Sequence, residues 1–122
     1  MSDLPAEWVK RCKELVGGEV FTRDAPGKWE GKQGSHVPVT EKTDDGKTKV
    51  KVPHVMKKGE SDAENHWIEL VFVMDSEGEV AACAKFAPTD AEAVLAFEPQ
   101  EGKSYTPYGL CNLHGLWKGD NF

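Results

Sequence analysis

The chain has 122 residues, 30% of them charged, and a net charge of -6, with a mean hydropathy of -0.55, as expected of one soluble globular domain with a modest core. An acidic surface excludes a nucleic-acid binder, which needs a concentrated basic face, and no apolar run approaches the roughly 20 residues that cross a bilayer. Met1-Ser2-Asp3-Leu4-Pro5 lacks the basic stretch and apolar core of a secretory signal, and three scattered cysteines argue against a disulfide framework and for a reducing cytoplasm.

Residues 5–16 predict a short helix. Pro5 suits its first turn, Trp8, Val9, Cys12, Leu15 and Val16 share one face, and Gly17-Gly18 stops it. Cys12 has no evident partner on this helix. Asp24-Ala25-Pro26-Gly27 marks a turn. From Trp29 onward short alternating runs replace the helical period. The expected strands are 37–42; 47–52, with lysines on one face and Thr/Val on the other; 67–74, apolar except Glu69; 79–86; 93–97; and 103–108. Cys83 reads as a small core hydrophobe. Six short strands behind one helix predict an all-β, immunoglobulin-like antiparallel β-sandwich with a short N-terminal helical arm.

All four histidines stand beside the punctuation of these strands. His36 opens the first strand in Ser35-His36-Val37-Pro38, His54 follows Val52-Pro53, His66 precedes the long apolar strand, and Cys111-Asn112-Leu113-His114 follows the last one. Loops of a sandwich converge at its ends, so these residues can share one site. Four imidazoles and a thiolate exceed the four ligands of a structural zinc. They suit a square of nitrogens with sulfur beneath and one open position, and that mixed donor set favours a redox-active ion such as iron. Unrelated loop histidines on a binding sandwich are the alternative that spacing leaves open.

The segments Ser35-His36-Val37-Pro38-Val39, Val52-Pro53-His54, Asn65-His66-Trp67-Ile68-Glu69-Leu70 and Cys111-Asn112-Leu113-His114-Gly115-Leu116-Trp117 resemble the superoxide reductases, the neelaredoxin and desulfoferrodoxin family. The resemblance runs from about Trp29 to Trp117 in the family's order. It implies a one-electron reduction of superoxide to hydrogen peroxide at one non-haem iron, cycling between Fe2+ and Fe3+. His36, His54, His66 and His114 would be the equatorial ligands and Cys111 the axial thiolate. It also implies re-reduction by a rubredoxin-like electron donor and assembly as a homodimer or homotetramer.

Two departures from the family pattern stand out. The N-terminal four-cysteine domain of desulfoferrodoxins is missing, so the chain is similar to the one-iron type, with an arm at 1–28 and an iron-binding β-sandwich domain at 29–122. Many relatives carry Glu-Lys directly before His-Val-Pro, the glutamate binding oxidised iron and the lysine lying over the open position. Gly34 and Ser35 stand there in this chain. Glu30 and Lys32, slightly upstream among loop glycines, are the candidates for those two roles. Lys57, Lys58 and Lys118 are further candidates for a local positive patch. Amides of Leu113 and His114 are expected to hydrogen-bond the Cys111 sulfur, and Trp67 and Trp117 to shield the centre as core aromatics.

Overall fold

A computed structural model describes residues 4–122; residues 1–3, the start of the predicted arm and of the segment read for a signal, lie outside the described residues. Helix α1 spans Ala6–Val16, with Pro5 at its N-cap and Gly17 closing it through a bond to the Lys13 carbonyl. It returns into a two-residue strand, β1 (Val20–Phe21). A 3-10 turn at Gly27–Trp29 leads to a single helical turn, α2 (Gln33–His36). The remaining strands are β2 (Val39–Lys42), β3 (Thr48–Val52), β4 (Ile68–Asp75), β5 (Val80–Lys85), β6 (Ala93–Phe97), β7 (Tyr105–Cys111) and β8 (Gly115–Lys118).

Two sheets result, one ordered β1-β8-β7-β4-β5 and the other β2-β3-β6. This is the predicted all-β sandwich, antiparallel throughout except where β1 runs parallel to β8. The β3 alternation holds: Thr48, Val50 and Val52 are buried, while Lys49 and Lys51 face water. β4 is apolar on both faces because both are covered. Val71 and Val73 point into the core shared with the smaller sheet. Leu70, Phe72 and Met74 point the other way, into a second core closed by Cys12, Leu15 and Val16 of α1. The arm therefore packs on its own sheet as a third layer. Each fully buried aliphatic side chain in these cores contributes about 2 kcal/mol.

Several sequence expectations need correction. His36 does not open a strand. It ends α2, and the strand starts only at Val39, because Pro38 has no N–H to offer a ladder. The strand expected at 103–108 runs on to Cys111, so that cysteine ends a strand instead of lying in a loop. β1 and β8 carry too few residues to show a period, and both escaped the pattern.

Register then places the candidates together. Ile68 pairs with Cys111, Cys111 with Gly115, and Val39 with Lys51. The start of β2, the end of β3, the start of β4 and the β7–β8 turn thus share one end of the sandwich.

Candidate metal centre

At that end the side chains of His36, His54, His66, Cys111 and His114 converge, with one donor atom from each lying within 4.8 Å of all the others. His36 comes from the last residue of α2, His54 from just beyond β3, and His66 from just before β4. Cys111 closes β7, and His114 occupies the turn into β8. Gly115 makes that turn possible: its φ is +79, and a Cβ there would lie 3.0 Å from the Phe21 ring.

Hydrogen bonds fix which nitrogen two of the rings offer. His36 Nδ1 donates to the Lys32 carbonyl at 2.9 Å, with Ser35 Oγ also 2.9 Å away. His54 Nδ1 donates to the Val55 carbonyl. His36 and His54 therefore each turn a bare Nε2 inward, an arrangement typical of metal-binding histidines. His36 Nε2 lies 3.0 Å from His114 Nδ1, His54 Nε2 lies 3.1 Å from His66 Nε2, and Cys111 Sγ lies 3.6 Å from His114 Nδ1. Nitrogen donors about 2.1 Å from a common ion and at right angles lie about 3 Å apart. The spacings and the mixed nitrogen–sulfur set fit one iron ion.

Electrostatics favour the binding form of each imidazole. Burial pushes His36 down to about 4, helped by the neighbouring histidines and opposed by its bond to Lys32. Burial likewise lowers His54, His66 and His114, so all four are held neutral. Cys111 is 2% exposed, and burial raises its thiol. The backbone N–H groups of Leu113 and His114 donate to its sulfur and act in the opposite direction. Cys111, His36 and His54 are buried while His66 and His114 are half-buried, so the centre is nearest solvent on the side of His66 and His114.

Of the other predicted residues, Lys32 bonds His36 through its carbonyl. Its charge acts on His54, His66, His114 and Cys111, and Gly31, at a φ of 98, gives the bend that precedes it. Lys57 acts on His66. Glu30 is exposed and is not among the charges acting on the five residues. Lys58 and Lys118 are solvent-facing. Trp117 is fully buried, its ring 5.4 Å from that of His36, and its Nε1 donates to the His114 carbonyl. Trp67 points elsewhere, donating from Nε1 to the Phe86 carbonyl.

Sequence reasoning missed three positioning residues. Asn112 ties the two ligand segments together: its Nδ2 donates to the Asn65 carbonyl, and its Oδ1 accepts from the Trp67 amide. Ser35 braces His36, and Trp29 sets its ring edge-on to His114 at 4.7 Å. Only the Cys-Asn-x-His spacing hinted at the first of these.

The desulfoferrodoxin family model matches residues 28–120. A protein of Archaeoglobus fulgidus that carries a provisional name as a superoxide reductase is 34% identical over 117 residues, covering 73% of this chain and 88% of that one. Among solved structures, the superoxide reductase of Treponema pallidum is 25% identical with a TM-score of 0.54, covering 77% of this chain and 73% of its own. A superoxide reductase (neelaredoxin) variant of Ignicoccus hospitalis shares the fold at 23% identity and a TM-score of 0.66, covering 87% and 93%.

Proposed function

The chain belongs to the desulfoferrodoxin family, and on that premise we propose that His36, His54, His66, His114 and Cys111 hold the single iron of a superoxide reductase. The convergence of one donor atom from each of these five side chains carries the reading. The enzyme reduces superoxide to hydrogen peroxide by one electron and two protons, and an external donor restores it. Bound iron supplies that electron and the Lewis acidity that binds the anion.

The chain's own residues supply the rest. A molecule of charge -6 repels superoxide at long range. Lys32 opposes this locally, drawing the anion toward the half-buried side of His66 and His114. Its Nζ also holds protons, or orders water that holds them, beside the reacting oxygen. Cys111 is buried, and amides of Leu113 and His114 spread the thiolate charge and tune its donor strength. The carbonyls of Lys32 and Val55 keep His36 and His54 presenting Nε2. Glu30, exposed on the loop before Lys32, is the candidate to approach the oxidised centre.

A rubredoxin-like carrier is the proposed donor. Exposed Leu113 and Val55, each next to a ligand, offer an apolar landing beside the centre. A homodimer or homotetramer is the proposed assembly. Three free cysteines support a cytoplasmic setting, and no helix among the described residues is long and apolar enough to cross a membrane. The start of the family match at residue 28 supports dividing the chain into an arm at 1–28 and the iron domain at 29–122.

Metal analysis with a spectrum of the oxidised protein tests the reading. One iron per chain and a visible thiolate-to-iron band, lost in Cys111→Ala, is the expected result. Zinc in the site, or iron without the band, would overturn it.

A further inference from the structure

Away from the centre, the other two cysteines meet. Cys12 Sγ on α1 lies 3.8 Å from Cys83 Sγ on β5, although the residues are 71 apart in sequence. We propose that Cys12 and Cys83 form a peroxide-responsive dithiol that closes to an intrachain disulfide and clamps α1 onto the edge of the larger sheet.

Three observations carry this. The first is placement. The register shift between β4 and β5 sets Met74 opposite Val80 and Val73 opposite Ala82, so Ala81 is the extra residue of a bulge. Cys83, opposite Phe72, thereby shares the helix-facing core with Val80 and Cys12. A sulfur–sulfur bond is about 2.05 Å long, so the atoms close by about 1.8 Å, within reach of small side-chain rotations. The second is access. Cys12 is 0% exposed, whereas Cys83 is half-buried on an edge strand, so a small oxidant meets Cys83 first. The third is polarity. The hydrogen bond shared with Cys12 holds the Cys83 thiol below its usual range against burial, and Arg11 adds to that effect. The same pairing raises Cys12. Exposure on the edge strand therefore makes Cys83 the attacking sulfur and buried Cys12 the resolving one, and the polarity agrees.

The chemistry balances with an oxidant that the enzyme itself makes. Cys83 sulfur attacks hydrogen peroxide, breaking the O–O bond to give a sulfenic acid and one water. Cys12 sulfur then displaces the hydroxyl from Cys83, forming the S–S bond and releasing a second water. Two thiols are oxidised by two electrons as one peroxide is reduced. A thiol reductant reverses the reaction by exchange. The supply of oxidant rests on the superoxide reductase reading; the reaction of the pair with added peroxide does not.

The test treats the iron-loaded full chain with a few equivalents of hydrogen peroxide, blocks free thiols, and maps the cysteines by mass spectrometry. The expected result is a mass loss of about 2 Da, a peptide joining Cys12 to Cys83, and reversal by dithiothreitol. The thermal midpoint should rise by roughly 10 °C, because the closed loop is long. Cys12→Ser should stop at a sulfenic acid on Cys83 that dimedone traps, and Cys83→Ser should leave Cys12 unreacted. Both thiols still free after peroxide, a link between chains only, or no trapped acid in Cys12→Ser would each overturn the proposal. Wild-type mapping decides the matter even if a serine variant fails to fold. Superoxide consumption by the same sample reports separately on the iron reading.

Discussion

Lys32 acts on the centre through charge, reaching three imidazoles and the sulfur while its own carbonyl orients His36. Substitution to Ala removes the charge but keeps that carbonyl. Lys32→Ala should therefore retain its iron and react with superoxide roughly tenfold more slowly at low salt, the gap narrowing as salt rises. An unchanged low-salt rate in a stopped-flow measurement would remove the lysine from the account. Asn112 acts through geometry, since its amide joins the segment carrying Cys111 and His114 to the segment carrying His66. Asn112→Ala should weaken iron binding by about 10–100-fold in competition with a chelator. The five converging residues were legible because their residue types are scarce and each lies by a strand end. Asn112 and Trp29 were not, because their partners are distant in sequence, and Ser35 was not, because no local pattern shows that its hydroxyl turns onto the neighbouring ring. Cys12 and Cys83 illustrate the same limit, as no local pattern joins a helix to an edge strand 71 residues away.

At the level of elements, the β7–β8 hairpin carries the most constraint. It spans only Asn112 to His114 between the paired residues Cys111 and Gly115. Gly115 combines a left-handed φ with a close approach to the Phe21 ring. Gly115→Ala should cost about 1–3 kcal/mol of stability and disturb His114 and Cys111 together. Denaturant unfolding with parallel iron analysis would check this, and a neutral result would mean that the turn relaxes freely. α1, β3 and β6 were legible almost to the residue, since each has a full period, a clear stop or both. β1 is held by its parallel pairing with β8, and β8 by that pairing and its hairpin with β7, which no local pattern reports. The single turn of α2 was hidden for another reason: Pro38 marks where pairing cannot begin, yet does not say what precedes it.

The whole molecule is three layers deep, helix on sheet on sheet, and it keeps four imidazoles uncharged at one end. In the metal-free protein this has a thermodynamic consequence. His36 titrates at 6.5 when unfolded and at about 4 when folded, so between those values the unfolded chain binds more protons. The stabilisation from keeping it neutral is complete above pH 6.5 and is lost as pH falls to about 4, roughly 3 kcal/mol for this residue alone. The other three histidines act in the same direction. Denaturant titrations of chelator-treated protein at several pH values should show this decline, and a flat profile between pH 6.5 and 4 would contradict it. The acidic surface and the lysine beside the centre together describe an enzyme that admits a small anion at one place.

The reaction's stoichiometry tests that description most directly. Ferrous protein is mixed with a known pulse of superoxide, and peroxide and oxygen are measured together. One hydrogen peroxide is expected for each superoxide consumed, with no oxygen released. One peroxide for every two superoxides, with oxygen evolved, would contradict it.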